Sequence, residues 1–171
     1  MQDQDRHDVR RMVWLAAGLV AGLAIASVWP HEPAYAVTTD RDAKFAMTTC
    51  TVSVVAVDPI EAIFVLDFLT GSLKGAVLNR QIGKFTAFYY RNLALDFKVD
   101  PKSEPHYVIV NGQAQLSGNA GLQFASSVLY IGELTSGKIV CYGFPWKESR
   151  TPLAPFQLVQ VDGFQFREPS Q

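Results

Sequence analysis

The sequence predicts a mainly β domain of about eight strands in antiparallel hairpins and a meander, with one short helix, behind an apolar N-terminal helix. Three observations predict this. Residues 12–29 form an uncharged run with no polar face, residues 49–57 alternate with a period of two, and two stretches 66 residues apart read as strand, glycine turn and return strand.

Residues 1–11 are polar and carry Arg6, Arg10 and Arg11. The run MVWLAAGLVAGLAIASVW fills residues 12–29, and Pro30 and then Ala34-Tyr35-Ala36 follow it. A basic segment, an apolar segment and a small-x-small site make the three-part pattern of a secretory signal. Ala34 and Ala36 are small enough for the two subsites of a signal peptidase, and Pro30 ends the helix upstream. The 18 apolar-run residues span about 27 Å as a helix, close to the ~30 Å hydrocarbon core. An uncleaved anchor held in the membrane through residues 12–29 is therefore the alternative. Both readings put the remainder outside the cytoplasm, because the basic residues precede the apolar run. The expected location is the periplasm or cell envelope, or the cytoplasmic membrane with the domain outside. Arg10-Arg11 reads as ordinary flanking charge rather than a twin-arginine signal, and no cysteine follows closely enough for a lipid anchor. A helix packed on a domain surface would need a polar face, which this run lacks.

Apolar content of 49 % and aromatic content of 12 % in 171 residues suffice for one ordered core. The formal net charge is −1. Removing residues 1–36 takes three arginines and four acids with it and leaves 12 basic and 12 acidic residues. A neutral domain without a Lys/Arg run has no electrostatic case for nucleic acid. Cys50 and Cys141 both fall in the exported part. An oxidising compartment permits a bridge between them, and the other reading is two buried thiols behaving as small apolar residues.

Residues 37–48 open with the polar VTTDRDAK and read as a connector to a single β-rich domain over 49–167, with 168–171 a frayed tail. The alternating strand at 49–57 closes at Asp58-Pro59. Residues 62–69 (AIFVLDFL), the Thr70-Gly71 turn and residues 73–78 (LKGAVL) make the first hairpin; residues 128–134 (VLYIGEL), Thr135-Ser136-Gly137 and residues 138–144 (KIVCYGF) make the second. Aligned without a gap, Phe64, Val65, Asp67, Phe68, Thr70, Gly71 and Leu73 face Tyr130, Ile131, Glu133, Leu134, Ser136, Gly137 and Ile139. In both, an acidic residue stands four before a glycine, which suggests either duplication or convergence on a good turn. Between the hairpins, a short helix is expected over residues 90–97, and a strand over 107–110 (YVIV) closed by the Asn111-Gly112 turn. Residues 117–121 form a loop, residues 145–155 a proline-punctuated crossing, and residues 156–161 the last strand.

The two hairpins resemble blade hairpins of quinoprotein-type β-propellers, in which an apolar pair, an acid, Thr-Gly and an apolar return recur. That resemblance implies a turn-bracing role for the acids and, because about 135 residues supply two blades at most, a subunit of an oligomeric propeller. The whole chain resembles an uncharacterised family of short exported bacterial proteins, through Trp29-Pro30-His31-Glu32-Pro33-Ala34, the hairpin over 64–71 and the segment 134–145. This second resemblance implies export and no particular chemistry.

His106 is the one histidine beyond residue 36, so neither a metal site nor a cofactor is expected. The nucleophile elbow, the P-loop and the dinucleotide fingerprint are absent. Asp67 and Glu133 are the one carboxylate pair worth weighing: across a pseudo-twofold cleft they suit acid and base roles in hydrolysis, while the plainer reading has each brace its own turn. Phe85, Phe88, Tyr89 and Tyr90 with Arg91 suit either a sugar or peptide groove, led by Tyr89, Tyr90 and Arg91, or the core. The expected function is a non-catalytic exported β domain working as an interaction or structural module of the envelope, with an envelope protein or polymer as partner.

Overall fold

The computed structural model describes residues 2–28, 39–53, 59–99, 104–118 and 123–167. The chain divides into two compact units, Met1–Ala36 and Val37–Gln171.

The described residues of the first unit form one helix, α1 (Gln2–Val28). Its described side chains, residues 11–25, are all exposed, and the large apolar ones among them stand 61–73 % exposed. Among the described residues no helix is long and apolar enough to cross a membrane; the apolar run itself continues past the last described side chain, Ile25. Trp29, Pro30 and the expected cleavage residues Ala34 and Ala36 lie outside the described residues, as do the strand end expected over 54–57 and the tail 168–171.

The second unit holds ten strands and one short helix among its described residues. In order these are β1 (Thr39–Arg41), β2 (Phe45–Ser53), β3 (Ile60–Asp67), β4 (Ser72–Asn79), β5 (Lys84–Asn92), α2 (Leu93–Phe97), β6 (Tyr107–Gln113), β7 (Phe124–Glu133), β8 (Lys138–Pro145), β9 (Phe156–Gln157) and β10 (Val159–Gln165). They form a six-stranded sheet, β1-β2-β3-β4-β5-β9, and a four-stranded sheet, β10-β8-β7-β6. Every pairing is antiparallel except β5 with β9.

Strand alternation sorts the side chains. In β3, Ala62, Phe64 and Leu66 are buried while Glu61, Ile63, Val65 and Asp67 look outward. The buried faces of both sheets make one core, centred on the Phe64 ring, which lies 5.6 Å from that of Tyr89 and 5.1 Å from that of Phe144. At one corner the chain passes from β9 in the first sheet to β10 in the second through buried Leu158. At the opposite corner, the Asn111 amide donates to the Thr49 carbonyl at 2.8 Å and the Ser126 hydroxyl to that of Val52 at 3.2 Å.

Both expected hairpins are present, as β3–β4 and β7–β8. Four expectations need correction. The helix begins at Leu93 rather than Tyr90, because register with β4 holds β5 extended as far as Asn92, opposite Ser72; the Asn92 side chain then caps α2 by accepting from the Leu95 N–H. Asn111-Gly112 is not a turn: β6 runs through it to Gln113, with Gly112 opposite Val128 and the Tyr130 ring lying where a side chain at 112 would project. The last strand is broken at Leu158 into two that serve different sheets. The connector over 37–48 is partly strand, since β1 pairs with β2 and β2 starts at Phe45.

Candidate functional site

Asp67 and Glu133 lie at the ends of β3 and β7, in different sheets, and each is bonded to its own turn. Asp67 Oδ1 accepts from the Leu69 N–H at 2.9 Å and the Thr70 N–H at 3.4 Å, and Oδ2 from the Thr70 hydroxyl at 2.8 Å. Glu133 Oε1 accepts from the N–H groups of Thr135 at 2.9 Å and His106 at 3.3 Å, and Oε2 from that of Ser136 at 2.6 Å. The Thr70 hydroxyl, with the two N–H groups, holds the Asp67 carboxyl below its ordinary pKa. Burial pushes the Glu133 carboxyl up, but the Ser136, Thr135 and His106 N–H groups and the Ser136 hydroxyl outweigh it, and the net shift is again downward.

A third turn has the same construction. Asn79 Oδ1 accepts from the N–H groups of Gln81 and Ile82 at 2.9 and 3.3 Å. Gly71, Gly83 and Gly137, each four residues after the accepting side chain, take φ of 62°, 64° and 67°. A side chain would strain that backbone. The construction is thus a local solution for a four-residue hairpin loop. The two hairpins aligned in the sequence nevertheless turn opposite faces to the core: Phe64 is buried where its counterpart Tyr130 is 40 % exposed, and Glu133 is 1 % exposed while Asp67 looks outward.

The aromatic group separates by face. Tyr89 is core, its hydroxyl donating to the Pro145 carbonyl at 2.8 Å. Arg91 shares that inner side. Its guanidinium clasps the Asp96 carboxylate through two bonds of 2.6 and 2.7 Å and also donates to the Leu158 carbonyl, while the Tyr142 hydroxyl adds 2.8 Å to the same Asp96 Oδ2. This cluster fastens α2 and the β9–β10 crossing to both sheets. Phe85, at 47 %, and Tyr90, at 41 %, are exposed, and Phe88 is half-buried.

Tyr90 stands on the outer face of the six-stranded sheet, in the cross-strand row Val65–Lys74–Tyr90–Gln157; the adjacent row is Asp67–Ser72–Asn92. A groove of about 490 Å3 runs between these rows and is lined also by Thr70. A second hollow, of about 320 Å3, shares Tyr90 and Asn92, is lined by Arg91 as well, and extends to Leu95, Asp96 and Gln157. Of the residues singled out in the sequence, the fold brings Asp67 and Tyr90 to one groove and Tyr90 and Arg91 to the hollow beside it, and leaves Glu133 and Tyr89 elsewhere. Lys74, Ser72, Asn92 and Gln157 carry no motif; only the strand register makes them neighbours.

The Cys50–Cys141 bridge that an oxidising compartment permits is absent, and both cysteines are free, as in the other reading. The physical reason is the pleat. Cys50 is buried on the core side of β2, whereas Cys141 lies between the inward-facing Val140 and Tyr142 and opposite exposed Tyr130, on the outer face of the other sheet. Burial pushes the Cys50 thiol up to about 12, and burial with nearby Asp162 pushes that of Cys141 up as well. Reductant is therefore expected to leave the mass unchanged. A thiol reagent should label Cys141 slowly in the folded protein and Cys50 only after unfolding; a two-dalton mass increase on reduction would contradict this.

No group of three or more His, Cys, Asp or Glu among the described residues is placed to hold a metal ion. No family model matches the chain, and neither a curated protein nor a solved structure matches it.

Proposed function

We propose that this chain is an exported, non-catalytic β domain acting as an interaction or structural module of the cell envelope. The observation that carries the reading is the commitment of its one candidate acid–base pair to turns. Both carboxyls sit below their ordinary pKa, whereas a general acid at neutral pH needs a raised one. They also stand in different sheets, and the groove that Asp67 lines does not include Glu133. Export is supported by the basic flank, the apolar run and the small-x-small site, and by resemblance to short exported bacterial proteins; a helix apolar all round suits a signal or an anchor. The neutral charge of the β domain argues against nucleic acid as a partner.

The test is turnover by the purified protein on glycosidic, ester and peptide substrates, with Asp67→Asn and Glu133→Gln alongside. No turnover is expected. Turnover lost in a folded Asp67→Asn or Glu133→Gln protein would replace this reading with an envelope hydrolase. The propeller-subunit reading draws on one observation, the antiparallel meanders β2–β5 in one sheet and β6–β8 in the other, and a monomeric mass in solution would end it.

A further inference from the structure

We infer that the groove beside Tyr90 is a binding site for a neutral oligosaccharide, a ligand class for the interaction module proposed above, on which it rests. Sugars are amphipathic: the C–H face of the ring stacks on an aromatic, and the rim of hydroxyls both donates and accepts hydrogen bonds. The outer face of the six-stranded sheet offers both halves of that recognition. The Tyr90 ring is 41 % exposed on the outer face, one strand in from the sheet edge, rather than folded into the core. Around it the register sets Lys74 directly across, Asn92 two residues on, Ser72 opposite Asn92, Asp67 opposite Ser72, and Gln157 on the other flank. These are one ammonium, one carboxylate, two amides and one hydroxyl. Donors and acceptors are mixed and the charges cancel, as do those of the Arg91–Asp96 ion pair in the second hollow, which suits an uncharged polyol better than an anion or a cation.

The Asp67 carboxylate has an acceptor position to offer. Its three hydrogen bonds to the turn leave one of about four lone-pair positions on the two oxygens for a ligand hydroxyl. The Thr70 hydroxyl and the turn N–H groups keep that carboxylate ionised and fixed, so little ordering is needed on binding. An extended peptide has less to hold it here. Peptides commonly add to a free sheet edge, and the edges of this sheet are three-residue β1 and two-residue β9.

Two hollows, about 490 and 320 Å3, meet at Tyr90 and Asn92. Each falls within the usual size range of small-ligand sites. Their meeting at one ring means that a ligand covering both must extend past Tyr90 on either side. The site therefore favours two or more linked sugar rings over one.

The experiment is amide NMR titration of the purified protein with triacetylchitotriose, cellotriose and maltotriose, using N-acetylglucosamine and glucose as single-ring probes and following product release in the same tubes. Saturable shifts are expected at residues 65–74 and 90–92 with at least one trisaccharide, at lower concentration than with its monosaccharide. Tyr90→Ala should weaken that binding by about tenfold or more, Asn92→Gln by less, and Tyr90→Trp should retain it. Phe85→Ala, at the far end of the same face, should change nothing. Shifts without saturation across the whole panel, or saturable binding unaffected by Tyr90→Ala in a folded protein, would overturn the site. Those results leave the module reading standing, whereas release of shortened sugar would overturn the non-catalytic reading and keep the site.

Discussion

Phe64→Ala is expected to lower the unfolding free energy by about 3–5 kcal/mol, the usual cost of emptying a buried phenylalanine site. Phe64 is fully buried, and its ring meets those of Tyr89 and Phe144, one from each sheet. It lies across Gly75, its partner in β4, where a Cβ would run into the ring. The glycine lets the ring lie flat over the strand and reach the opposite sheet, so its loss opens a cavity at the point where the sheets are joined. Small domains have about 5–15 kcal/mol in all, and the variant should unfold at a much lower urea midpoint with an unchanged slope. Phe85→Ala, on the exposed face, should stay within about 0.5 kcal/mol. A loss below about 1 kcal/mol for Phe64→Ala would mean that the two sheets do not share this core.

Glu133→Ala is expected to cost about 2–4 kcal/mol, because it strands backbone N–H groups in a site with little access to water. Glu133 is 1 % exposed and its carboxylate accepts from Thr135, Ser136 and His106, so it joins the β7–β8 turn to the start of β6. Asp67→Ala removes a similar turn brace from an outward-facing side chain, where water replaces the lost partner, and should cost about 0.5–1 kcal/mol. The pH dependence has a definite sign. Both carboxyls titrate lower in the fold than in the unfolded chain, so the stability they contribute is complete above the unfolded value of about 4 and is lost as pH falls through the folded values. Urea midpoints measured from pH 6 down to pH 3 should fall for the native protein and fall less for Glu133→Gln. Equal slopes in the two proteins would contradict a carboxylate held ionised in this turn.

The hairpins were legible in the sequence because their turns are local chemistry. An acceptor side chain and a glycine four residues later determine the loop wherever they occur. The β4–β5 turn uses the same device, yet Arg80-Gln81-Ile82 carries none of the usual turn residues, and the signal there was the Asn79–Gly83 spacing alone. Asn111-Gly112 shows the reverse, a strong local turn signal overridden by pairing with β7 and by the Tyr130 ring. The break at Leu158 was not legible, since the switch from one sheet to the other depends on where β5 and β8 already lie. Tertiary pairing also accounts for the site. Tyr90 and Asp67 stood out as residue types, but Lys74, Ser72, Asn92 and Gln157 become its neighbours only through register. Arg91 finds Asp96 because strand gives way to helix between them, and Tyr142 joins them from the other sheet.

Location is the claim on which the functional reading depends most. Its most direct test is expression of the full chain in a bacterium, followed by protease added outside spheroplasts and intact mass in each cell fraction. Export predicts that the β domain is digested by external protease. It also predicts either a full-length mass in the membrane fraction or a mass lacking residues 1–36 among soluble proteins outside the cytoplasm. A full-length protein in the cytosol, protected from that protease, would contradict it.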